Sequence, residues 1–137
     1  MKFKFLPHTA DVKFQAFGNS LEEAFGNAFL ALKETMHDKI KIACKIKKEI
    51  KVKGKDLESL LYNFLEEFLY LLDAEGFICS NISEIKINSR KFVLEAVVFG
   101  DKVSSYKTSN DVKAITYNDM IIKKGKNKWM VQVVVDV

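Results

Sequence analysis

The chain is expected to fold as α+β, with two amphipathic helices packed on a mostly antiparallel sheet. Three observations carry this expectation. Two segments place apolar residues at helical spacing, and each opens on a capping residue. Seven others alternate apolar and polar residues or read as short apolar runs, as strands do. Short turn signals join the later strands into hairpins. The order is strand, strand, helix, strand, helix, then four strands, within a single domain of 137 residues.

Lys2 to Leu6 and Val12 to Ala16 alternate and form the first two strands. Between them lies the polar corner Pro7-His8-Thr9-Ala10-Asp11. Ser20, with Glu23 three residues on, is a capping box. From there Leu21, Ala24, Phe25, Ala28, Leu32 and Met36 make one apolar stripe through about His37. His37 falls in the last turn, where the helix dipole favours a cation. Lys39 to Lys53 alternates strictly and is expected to be one strand with a wet, lysine-rich face.

Asp56 caps the second helix. Its broad apolar face runs from Leu57 through Phe64 and Phe68 to Leu72, and Gly76 stops it. Asp73 and Glu75 sit at the C-terminal end, where the dipole disfavours carboxylates, which hints at a local cation. Phe77 to Ile87 pairs with Phe92 to Phe99 through Asn88-Ser89-Arg90. Gly100 to Asp111 reads as a loop long enough to be functional. Val112 to Lys123 and Trp129 to Val135 form the last hairpin, across Gly125-Lys126-Asn127.

Composition narrows the function. Hydrophobic content of 48% with 29% charged residues excludes disorder. No apolar run is long enough to span a membrane, and Met1 to Phe5 lacks the apolar region of a signal peptide. The cytoplasm is therefore the default compartment. Cys44 and Cys79 lie in strand-like runs and match no metal motif, so reduced, buried thiols are expected. The net charge of +4 permits contact with RNA or an acidic protein face. Arg90 is the only arginine, whereas a dedicated nucleic-acid reader usually carries more. A solvated basic surface is the commoner explanation.

Three constellations could carry chemistry. His8 and Asp11 could form an acid/base pair. The pentapeptide alone favours turn chemistry, with Asp11 capping backbone N–H groups. No Gly-x-Ser-x-Gly, Cys–His pair or phosphate-binding loop accompanies it. The end of the chain, Val133 to Val137, would place Asp136 and a terminal carboxylate at one strand end. If that strand lies beside the first two, Asp11 joins them, and three carboxylates repel unless a cation binds. All-oxygen donors select Ca²⁺ or Mg²⁺ over zinc. A solvated terminus explains the same residues equally well, and the residues alone leave both readings open. Lys113, just past the polar loop, is either a surface lysine or an anion contact beside that site.

Several stretches together resemble the archease family. They are His8 to Asp11, Gly18-x-Ser20 through Ala24, Leu60 to Tyr70, Val112 to Tyr117, and Val133 to Val137. They stand in family order across nearly the whole chain. The resemblance implies a non-enzymatic, chaperone-like cofactor of the GTP-dependent RNA-splicing ligase. Such proteins promote guanylylation of the ligase's histidine, sustain its turnover in tRNA splicing, and can broaden its nucleotide use. The resemblance further implies a divalent cation, typically Ca²⁺ with Mg²⁺ as the alternative. Its ligands would be Asp11, Asp136 and Val137, the last through its carboxylate or carbonyl oxygens. Asp11 and Lys113 match positions needed for ligase activation, with His8 shaping the corner or meeting the partner. Contact with tRNA would be indirect, and no DNA or membrane partner is implied. Asn118 stands where many relatives have His, and the loop from Asp101 to Lys107 departs from the family pattern. The competing reading is a small basic module or chaperone that delivers RNA substrate.

Overall fold

The structure is a computed structural model that describes residues 1–8, 10–108 and 110–137. Seven strands and two long helices follow in the expected order. Strand β1 is Phe3–Leu6 and β2 is Val12–Gly18. Helix α1 is Leu21–His37, β3 is Ile46–Lys53, and α2 is Leu57–Glu75. Strands β4 (Phe77–Asn88), β5 (Val93–Lys102), β6 (Ala114–Lys124) and β7 (Trp129–Asp136) complete it. The strands form two antiparallel sheets rather than one, ordered β1-β2-β7-β6 and β3-β5-β4. Periodicity finds strands but does not say which edges pair, so the division into two sheets is invisible to it.

Both helices touch both sheets and form the layer between them. Ser20 caps α1 by accepting from the Glu23 N–H at 3.1 Å. The Glu23 carboxylate accepts from the Asn19 N–H, one residue earlier than the expected box requires. Asp56 caps α2, and Gly76 ends it in the left-handed region at φ 61°. The helices meet through aromatic pairs: Phe25 on Phe64 at 5.9 Å and Phe29 on Phe68 at 4.4 Å. All four rings are essentially buried. Burying each such side chain contributes roughly 1.5–3 kcal/mol. The dipole conflict at the end of α2 is relieved locally, because the Lys48 ammonium lies 2.6 Å from the Glu75 carboxylate.

The strand expected over residues 39–53 forms only from Ile46. Burial alternates ahead of it only as far as Ile42, buried beside the exposed Lys41, and lapses at Cys44 and Lys45, both exposed. The backbone there is satisfied by side chains and single contacts instead of a ladder. Ser80 donates to the Ile42 carbonyl at 2.8 Å, and the Ala43 N–H donates to the Tyr106 hydroxyl oxygen at 2.8 Å. Cys44 is consequently exposed, against the expectation of two buried thiols. Cys79 is buried, and desolvation pushes its thiol up to about 12. Both cysteines are free.

The loop expected from Gly100 begins later. Strand β5 continues through Lys102 because Phe77, Ile78 and Cys79 of β4 pair with Lys102, Asp101 and Gly100. A Cβ at Gly100 would overlap the Ile78 carbonyl oxygen and come within 2.8 Å of the Phe77 ring. Only glycine allows the two strands this approach. Asp101 is buried and structural. It accepts from the Lys102 N–H and the Tyr106 hydroxyl, both at 2.8 Å. Tyr106 thus bridges the end of β5 to residues 40–45. Its hydroxyl, and then the Lys102 N–H, hold the Asp101 carboxyl below the usual carboxylate range.

Gly100→Ala should therefore lower stability by about 3 kcal/mol in chemical denaturation, because backbone oxygen cannot move aside as a side chain can. For Asp101, a depressed folded pKa contributes stability that is present above the unfolded carboxylate pKa and lost as pH falls through the folded one. Tyr106→Phe removes the largest cause of that depression, so its stability should fall less steeply between about pH 5 and pH 2 than the parent's. Parallel thermal melts across that range measure the difference.

Candidate functional site

The end of β7 brings the expected residues together. Val12 of β2 pairs with Val135 of β7, so one step further the register sets Asp11 beside Asp136. On the other flank Ala114 of β6 pairs with Asp136, and the Lys113 N–H donates to the Asp136 carbonyl at 2.7 Å. Asp11, Asp136, Val137 and Lys113 therefore share one end of the four-stranded sheet. Val131, Val133, Val134 and Val135 are fully buried, whereas Asp136 and Val137 are exposed. The chain leaves the core at the residue where the carboxylates begin.

Cross-strand pairing puts Asp11, Asp136 and Ala114 on one face. Ala114 contributes only a methyl group between them and the edge. Lys113 precedes β6 by one residue and is exposed. The structure thus supplies the strand adjacency on which the cation reading depends.

The corner before β2 is tight. Ala10 sits at φ 69°, which costs an L-residue roughly 1–2 kcal/mol. Thr9, part of the corner motif, lies outside the described residues. The His8 Nδ1 is 3.9 Å from an Asp11 oxygen, too long for a hydrogen bond. The two therefore do not form a hydrogen-bonded acid/base pair. Among the described residues Asp11 caps no backbone N–H either, so the expected turn role falls away and its carboxylate stays partly exposed.

A polar network missed in the sequence crosses the same sheet. The Gln15 amide donates to the Gln132 side-chain oxygen at 2.9 Å, and the Gln132 amide donates to the Asp119 carbonyl at 2.8 Å. The Lys13 ammonium lies 3.4 Å from the Asp119 carboxylate. Asp119 reaches this place because β6 loses its register between Thr116 and Ile121, with Asp119 at φ 51°. The signal available in sequence was two glutamines set in apolar strands, at Gln15 and Gln132. Lys13, two residues from Asp11, is therefore engaged by Asp119. Among the described residues no lysine or arginine lies within 4.0 Å of Asp11 or Asp136.

The donor set can be weighed against a cation. Among the described residues no three His, Cys, Asp or Glu side chains are grouped to hold a metal ion. Two carboxylate-bearing residues share the sheet end, and Val137 can offer a further oxygen donor there. All these donor atoms are oxygens, and the two side chains lack lysine or arginine partners. That chemistry fits a hard cation and does not fit zinc. On α2, Tyr62 stacks on Tyr117 of β6 at 4.4 Å and 9°, which ties the helix to the strand that follows Lys113. Among the described residues no helix is long and apolar enough to cross a membrane.

Comparison with known proteins identifies the family. The pattern of the archease protein family matches residues 3–137. An archease of Pyrococcus furiosus is 42% identical over 135 residues, covering 95% of this chain and 94% of that protein. An archease of Pyrobaculum neutrophilum is 41% identical over 139 residues, covering 98% and 95%. The solution structure of a Methanobacterium thermoautotrophicum protein superposes with a TM-score of 0.83 at 30% identity, covering 99% of each chain. A Thermotoga maritima crystal structure, described as an archease and possible chaperone, shares the fold with a TM-score of 0.68 at 22% identity, covering 98% and 96%. A match of this extent and identity settles the family: the chain belongs to the archeases.

Proposed function

We propose that the chain activates a GTP-dependent RNA-splicing ligase, promoting guanylylation of the ligase's histidine and its repeated turnover, and has no catalytic activity of its own. One observation carries this reading. Asp11, Asp136 and Lys113, at the positions the family resemblance singles out, share one end of the four-stranded sheet, and among the described residues the two carboxylates have no lysine or arginine within 4.0 Å.

Asp11, Asp136 and the Val137 oxygens would hold a divalent cation there. Ca²⁺ suits the set better than Mg²⁺, because it accepts irregular oxygen geometry. When bound, the ion would supply fixed positive charge at the edge of the protein. The chain's own residues do the rest. Asp11 and Asp136 present negative charge held by strand register, and Lys113 presents an ammonium beside it. Guanylylation gathers a triphosphate, metal ions and a histidine in the ligase, and its barrier is chiefly electrostatic. A charged, rigid edge docked at that centre would favour the metal arrangement and the departure of pyrophosphate. His8, at the same corner, stands where a partner would meet it. The same electrostatics would allow the ligase a broader choice of nucleotide. Contact with tRNA in this role is indirect, through the ligase. Two free cysteines suit a reducing compartment, and the cytoplasm is the proposed setting.

The test is ligase guanylylation from labelled GTP, with and without the chain, in the absence of RNA. Added chain should raise guanylate formation there, and in a separate reaction supplied with RNA ends it should raise the turnovers completed by substoichiometric ligase. Asp11→Ala and Lys113→Ala should each cut the stimulation by ~10-fold or more, equivalent to about 1.4 kcal/mol. Neither side chain belongs to the core, so melting should shift little. Unchanged guanylylation on adding the parent chain would refute the proposal.

A further inference from the structure

We propose that the opposite end of the same sheet is a contact surface for single-stranded RNA. The turn of the β6–β7 hairpin is closed by the Gly125 N–H donating to the Lys128 carbonyl at 2.7 Å. Lys123, Lys124, Lys126 and Lys128 fall within six residues there. Lys2 and Lys4 join them from the start of the chain, where the Lys2 carbonyl accepts from the Phe17 N–H at 2.9 Å. Beside the hairpin opens a cleft of about 630 Å³, lined by Asn19, Glu22, Ser89, Lys126, Lys128 and Trp129 among others.

Three features point to a nucleic acid. First, the lysines are not neutralised. Among the described residues Lys13, Lys48, Lys51 and Lys86 have a carboxylate within 4.0 Å, and none of these six does. Glu22 is the only carboxylate lining the cleft. Second, ammonium groups lie beside a ring at the cleft. Lys124 lies 5.6 Å from the centre of the Trp129 ring, which lines the cleft, whereas Lys128 and Lys4 lie 4.6 and 5.9 Å from Phe17, which pairs with Met130 and so stands on the other face of the sheet. Both rings are partly exposed. Cations beside a partly exposed ring suit a phosphate backbone whose bases can stack. Third, Asn19, Ser89 and Asn127 line the cleft with groups that can hydrogen-bond to ribose hydroxyls. An acidic protein face would use the charges and leave the rings without a role. Along β7 this surface lies about 25 Å from Asp136, at the rise of an extended strand. The guanylylation assay contains no RNA, so this inference and the ligase reading stand or fall separately.

Trp129 is the chain's only tryptophan, so its emission reports on the cleft directly. The experiment titrates a 12-nucleotide oligouridylate into the full chain, reading anisotropy of the labelled RNA and Trp129 emission. Binding should quench Trp129. With about four phosphate contacts, affinity should fall roughly 50-fold between 50 and 200 mM salt. Lys124→Glu/Lys126→Glu/Lys128→Glu should weaken binding by ~10-fold or more with the melt retained. The control Lys39→Glu/Lys41→Glu/Lys47→Glu makes the same change of charge at exposed sites elsewhere and should keep binding close to the parent's. Absence of binding at low salt, equal loss in both triple variants, or binding without quenching would overturn the proposal. So would equal affinity for poly-glutamate, which would assign the surface to an acidic protein instead.

Discussion

The candidate site depends on the insertion of β7 between β2 and β6. Its partners are unequal in cost. Strand β6 is joined to β7 by a short hairpin, whereas β2 lies more than a hundred residues earlier in the chain. Closing so long a loop is entropically unfavourable. The compensation lies in the strand itself. Val131, Val133, Val134 and Val135 are fully buried; all four pair with β2, and all but Val133 also pair with β6. At roughly 1.5–3 kcal/mol for each buried valine, burial outweighs the slowly growing cost of closure. The ladders and the hydrogen bond between the directly paired Gln15 and Gln132 fix the register. Register in turn sets Asp11 opposite Asp136.

The helices make that register rigid from behind. Helix α1 packs on β2 and α2 on β6, and Phe25–Phe64 and Phe29–Phe68 lock the two helices together. Tyr62 on Tyr117 adds a second hold on β6, near the irregularity that admits Asp119. The charged groups therefore stand on strand ends backed by a packed core. Such positions hold a constellation more firmly than loops do. The start of the segment after β5 is pinned by Asp101 and Tyr106.

Local signals in the sequence locate what is local. Ser20, Asp56 and Gly76 bound the helices because capping is decided within four residues. Asn88 marks the β4–β5 turn, where its side chain accepts from the Arg90 and Lys91 N–H groups. Pairing between distant strands is not legible in this way. Alternation alone merges the two sheets into one and extends β3 back over residues 39–45, where no neighbour offers a ladder. The site divides along the same line. Asp11 and Asp136 are visible as carboxylates, but their meeting rests on a condition about β7 that only topology can satisfy. The pair Lys13 and Asp119 is hidden because Asp119 arrives through a break in register that no periodicity announces.

Charge is sorted along β7, with carboxylates where the strand leaves the core and uncompensated lysines where it enters. The proposed hard-cation site rests on strand register at the first of these ends. Calorimetric titration of Ca²⁺ into the full chain tests it most directly. One saturable site per chain is expected, abolished by Asp136→Asn with the melt of the cation-free protein preserved. Absence of binding in the parent chain, or equal binding in Asp136→Asn, would contradict it.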